Sequence, residues 1–123
     1  MKVAAVVTDL MLYSRIESAA RVAGVDLARV DTPHDIPADP DLVLVDWSAR
    51  EPDWAEPLES LSGARVILFG PHVDLDAHAA AREAGIGPML ARSKLLSSLA
   101  DLMDAGRRVP LASTRAEDDR LIE

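Results

Sequence analysis

The 123-residue chain contains no cysteine, which excludes a disulfide framework, thiolate chemistry and cysteine-ligated zinc. Aromatic residues are scarce, limited to Tyr13, Trp47, Trp54 and Phe69. Long apolar runs are missing too. The first, residues 3–7, stops at Thr8-Asp9; it is too short to span a membrane and lacks the shape of a signal peptide, so the expected setting is the cytoplasm. Positive charge is outweighed, leaving a formal net charge of −8. An acidic chain repels phosphate backbones, so neither nucleic acid nor a membrane is expected as a partner. No G-x-G-x-x-G or Walker A pattern supports nucleotide binding. No G-x-S-x-G elbow is present, and no histidine is placed for a Ser-His-Asp triad, so no enzyme is expected. Lysine is rare beside arginine, two against eleven, a composition that suggests a GC-rich bacterial genome.

What is present reads as one folded domain. A 49% hydrophobic content is well above that of a disordered chain, and the length suffices for a core without staples. Apolar runs at residues 3–7, 25–30, 42–45, 65–69 and 86–91 predict five strands, the continuous ones suiting a sheet buried on both faces. Between them, helical spacing predicts helices over 10–23, 54–61, 74–84 and 95–105, with Gly24, Gly85 and Gly106 as stops. The segment 31–41 carries Pro33, Pro37 and Pro40, and proline costs a helix interior about 3 kcal/mol, so a single turn or loop is expected there. The domain is expected to span 1–106, followed by a polar tail, 107–123, either disordered or docked through its few apolar residues.

Alternating strands and helices imply a parallel sheet with right-handed crossovers, whose functional crevice lies at the carboxyl ends of the strands. Among the aspartates that follow strands, Asp9 and Asp46 are the pair to examine. Adjacent carboxylates repel, and Mg²⁺ relieves that repulsion; a carboxylate in such a cleft can also be a nucleophile toward a phosphoryl group. The plainer alternative is that each aspartate caps the element after it.

The order of elements and the stretch from Gly70 to Ser93, with Gly70-Pro71-His72, a helix ending Glu83-Ala84-Gly85, a short strand and Arg92-Ser93, resemble the CheY-like receiver domains of bacterial two-component response regulators. The resemblance implies a flavodoxin-like, doubly wound five-stranded parallel sheet in the order 2-1-3-4-5, here with reduced second and third helices. It implies that Asp46 is the phospho-acceptor candidate and that Asp9 and Asp46 are candidate Mg²⁺ ligands. Departures are as informative. Thr8 replaces the second metal-binding acid, Gly70 the hydroxyl residue of the switch, Met89 its aromatic residue, and Arg92 the lysine, with Lys94 two residues on as a substitute. Thr8, Trp47 and His72 complete the expected crevice rim, although a tryptophan here more commonly packs under the next helix and His72 more commonly lies in solvent. Asp74, Asp76 and His78 resemble a metal cluster on paper, but a first-turn acid usually caps.

The resemblance therefore implies an atypical member, a pseudo-receiver acting through contacts with a protein partner, kinase or output protein. A homodimer through the family's fourth helix (74–84), fifth strand and fifth helix (95–105) is also implied. Two alternatives stay open: a working phospho-receiver that accepts phosphoryl at Asp46 with Mg²⁺, and a small metal-dependent phosphatase or hydrolase on the same fold.

Overall fold

The structure, a computed structural model, describes residues 1–61, 63–71, 74–86 and 89–104. His72 and the tail 107–123, both singled out above, lie outside the described residues. The elements follow in order: β1 (Lys2–Val6), α1 (Leu10–Ala23), β2 (Asp26–Val30), a 3-10 turn (Pro33–Asp35), β3 (Leu42–Asp46), a second 3-10 turn (Trp47–Ala49), α2 (Ala55–Glu59), β4 (Arg65–Gly70), α3 (Leu75–Ala84), β5 (Met89–Ala91) and α4 (Arg92–Leu102). The strands form one parallel sheet in the order β2-β1-β3-β4-β5.

Local chemistry accounts for most boundaries. Asp9 caps α1 by accepting from the Met11 and Leu12 N–H groups, and Gly24 ends it at φ 72°. Gly85 ends α3 the same way, and Asp74 starts it by accepting from the Ala77 N–H. Thr32 caps the one turn that the three prolines allow between β2 and β3.

Three expectations are corrected. The last helix opens at Arg92 rather than Leu95: Arg92, Ser93 and Lys94 have no helix-breaking chemistry, and the first turn is polar because Ser93 and Lys94 face solvent and Arg92 faces two carboxylates, so the apolar pattern begins a turn late. The short helix expected over 54–61 contains only five residues, with Trp54 at its N-cap position and Ser60 at its C-cap. The fifth strand begins at Met89, three residues after the expected start.

Side chains alternate across the sheet and make two cores. On one face Val3, Ala5, Leu42, Leu44 and Phe69 meet Leu12 and Ile16 of α1 and Leu95, Leu99 and Leu102 of α4. On the other, Ala4, Val6, Val43, Val45 and Leu68 meet Ala77 and Ala81 of α3, Leu58 of α2, and the indoles of Trp47 and Trp54. Every residue of β3 is buried, which explains its unbroken apolar run; β2, at the edge, is only partly covered.

Candidate functional site

Four strands deliver their last residues to one end of the sheet, where β1 ends beside β3 and β4 ends beside both β3 and β5. There the sequence places Thr8-Asp9, Asp46-Trp47, Gly70 and Arg92. Asp46 closes β3, paired with Phe69, and among the described residues it is the one charged residue that is buried. A buried carboxylate must be satisfied, and Asp46 is. Its Oδ1 accepts from the Ser48 hydroxyl at 2.6 Å and from the Ser48 N–H at 3.2 Å, which folds the backbone into the 3-10 turn. Its Oδ2 faces the Arg92 guanidinium, with Nη2 3.8 Å away.

Asp9 divides its oxygens in the same way. Oδ1 accepts from the Met11 N–H at 3.0 Å and the Leu12 N–H at 3.2 Å, whereas Oδ2 accepts from Arg92 Nη1 at 3.4 Å. The two carboxylates are therefore bridged by one guanidinium rooted in the first residue of α4. Lys94, the alternative cation, is exposed, and among the described residues the ion pairs of Asp9 and Asp46 come from Arg92.

Gly70 and Met89 explain each other. A Cβ built on Gly70 would lie 3.1 Å from Met89 Sδ, 3.4 Å from Met89 Cε and 3.6 Å from Ser48 Cβ. The buried thioether thus crowds the place where a hydroxyl residue at 70 would reach into the crevice. The hydroxyl that touches Asp46 comes instead from Ser48, two residues along its own strand end. Ser48 was not among the residues singled out in the sequence; the signal was its spacing from Asp46, since a serine two residues after an aspartate is placed to close an Asx-type turn.

Trp47 is a correction. It lies in the core rather than at the rim, with its indole N–H donating to the Ala77 carbonyl at 3.0 Å and Arg50 stacked over its ring. Thr8 is exposed beside Asp9. Asp74 is a cap, and among the described residues no group of three or more His, Asp or Glu side chains is arranged to hold a metal.

The residues present do not fit a resident Mg²⁺. A hard divalent ion wants several free oxygen ligands. Here one oxygen of each carboxylate is committed to the backbone or to Ser48, the other faces Arg92, and a neutral Thr8 replaces a third acid.

Neither a family model nor a curated protein sequence matches the chain. Solved structures do. The phosphorylated cyanobacterial phytochrome response regulator RcpA is 16% identical with a TM-score of 0.63, over 91% of this chain and 94% of that one. A CheY-like response regulator receiver domain protein from Methanospirillum hungatei is 15% identical with a TM-score of 0.62, over 88% and 97%. The receiver domain of Francisella response regulator 1452 is 14% identical with a TM-score of 0.59, over 85% and 98%. At such identities the likeness establishes the fold: a CheY-like, flavodoxin-type sheet in the order 2-1-3-4-5, as the sequence led one to expect.

Proposed function

We propose that this chain is a receiver-like signalling module of two-component type whose switch is altered, and that it acts in the cytoplasm through protein contacts rather than a phosphorylation cycle. The observation that carries this reading is the crevice itself. Asp46 is held on one side by Ser48 and faces Arg92 on the other, and Met89 occupies the space beside Gly70. A group that must accept phosphoryl needs a cation free to follow the transferred charge; here the cation that faces Asp46 Oδ2 is shared with Asp9. No helix of the described residues is long and apolar enough to cross a membrane.

Apolar side chains at the same end of the molecule support a protein-contact mode. Leu10 and Met11, at the start of α1 beside Asp9, and Leu75, at the start of α3, are all largely exposed. Exposed residues of this kind next to a polar cleft suit a protein partner better than solvent. Self-association through α3, β5 and α4 belongs to the same reading, and sedimentation across a concentration series tests it: a single monomeric species at every concentration removes the homodimer.

The deciding experiment is incubation with acetyl phosphate and Mg²⁺ followed by intact-mass measurement, with Asp46→Asn as control. No gain of mass is expected in either protein. One phosphoryl group on the wild type, absent from the variant, would overturn the reading and make Asp46 a working acceptor. Turnover of a generic phosphate ester that disappears in Asp46→Asn would instead make the chain an enzyme.

A further inference from the structure

Three strand ends meet at the crevice, and each contributes a charge: Asp9 after β1, Asp46 at the end of β3, and Arg92 after β5. Two like charges at neighbouring strand ends need a counter-charge. Arg92 supplies it with the two arms of one planar fork, Nη1 at 3.4 Å from Asp9 Oδ2 and Nη2 at 3.8 Å from Asp46 Oδ2. Its backbone is fixed by the pairing of Gly70 with Ala91 on one side and by the first turn of α4 on the other. The guanidinium is half-shielded rather than free in solvent, with its side chain 38% exposed.

We infer that Arg92 is the resident cation of the crevice: it takes the position between Asp9 and Asp46 that a divalent ion would otherwise occupy, and it ties the ends of β1, β3 and β5 together without metal. The inference stands on these contacts alone and does not require the protein-contact reading above. Its consequences are chemical. A divalent ion entering the pair must displace the guanidinium or sit against it, and like charges oppose both routes. With Arg92 gone, the same two Oδ2 atoms are left facing each other without a counter-charge, and the pair becomes a place where a hard cation is the remaining way to relieve the repulsion. Resistance to a divalent ion thus rests on Arg92 added to the commitments that the acid pair already has.

Mn²⁺ is the probe, because its unbound fraction is read directly by electron paramagnetic resonance. Titration of the wild-type protein at millimolar Mn²⁺ is expected to show no binding beyond that of Asp9→Asn. Arg92→Gln, a shorter side chain that stays polar but loses the charge, is expected to bind Mn²⁺ at least roughly tenfold more tightly than the residual affinity of the wild type. Its melting temperature should rise on adding the ion. Addition of Asp46→Asn to Arg92→Gln should abolish both effects. Wild-type binding that a folded Asp9→Asn removes would overturn the inference, and that arm does not depend on the stability of Arg92→Gln. A folded Arg92→Gln that gains no affinity would overturn it equally. The outcome is separable from that of the phosphodonor experiment, since no phosphodonor is present here: phosphoryl gain at Asp46 in a protein that still binds no Mn²⁺ would refute the protein-contact reading and leave the resident cation standing.

Discussion

The two faces of the sheet are covered by opposite means. On the α1/α4 face the helices bring the bulk: Leu12 and Ile16 from one, Leu95, Leu99 and Leu102 from the other, and all five are buried. On the α2/α3 face the helices bring little. α3 buries Ala77 and Ala81, α2 has five residues and buries Leu58, and between β2 and β3 a single 3-10 turn stands where a helix would fit. The missing volume comes from Trp47 and Trp54, which lie outside the helices yet are 3% and 4% exposed. An alanine helix can sit close to a sheet but removes little apolar area from water per turn. Large residues from the connections repair that shortfall, so the thin face depends on loop conformation to a degree that the thick face does not.

This contrast can be broken by mutation. Trp47→Ala should be the most costly single change, about 3–5 kcal/mol, because it opens a cavity and deletes the bond to the Ala77 carbonyl. Ile16→Ala on the opposite face should cost about 2–5 kcal/mol. Urea unfolding followed by far-ultraviolet circular dichroism measures both. A Trp47→Ala cost well below that of Ile16→Ala would refute the claim that loop residues carry the thin face. Next in size, Ala81→Leu should destabilise by about 1–3 kcal/mol, since Ala81 is fully buried and α3 has no room to retreat from the sheet without losing Trp47's partner.

Smaller effects test where the faces are alike. Asp9→Ala and Asp74→Ala each remove an N-cap and should each cost about 1 kcal/mol. Asp9→Asn should cost only a few tenths, because the amide oxygen still caps; a larger loss would show that the ion pair with Arg92 contributes to stability as well. Least of all, His34→Ala should change stability by less than about 1 kcal/mol, although His34 Nε2 lies 2.9 Å from Asp53 Oδ2, because both side chains are exposed.

How much of this was legible in the sequence follows from the kind of signal. The boundaries of α1 were readable because Asp9 and Gly24 are chemical punctuation. β3 was readable because a strand buried on both faces has no polar positions to interrupt it. The absence of a helix over 31–41 followed from proline alone. The start of α4 was not readable from apolar spacing, because its first turn is polar, and that error matters: Arg92 is a helical residue fixed by β5, not a loop residue. Asp9, Asp46 and Arg92 could be picked out as residue types in the right order. That Arg92 rather than Lys94 reaches the carboxylates depends on helical register, which composition does not encode. Trp47 illustrates the same gap: its place after the strand was plain, but that its ring turns inward, with the indole N–H on the Ala77 carbonyl of α3, depends on a partner 30 residues away.

The placing of the aromatic rings gives the molecule an optical asymmetry. Trp47 and Trp54 both belong to the thin-face core, whereas Tyr13 packs against the other. Light absorbed by indole alone therefore reports on one side of the sheet, and on the side that loops hold together. If that side loosens before the rest, indole emission will move to longer wavelength while the peptide backbone signal still reads as folded. If the two signals change together, the thin face is as firmly held as the thick one.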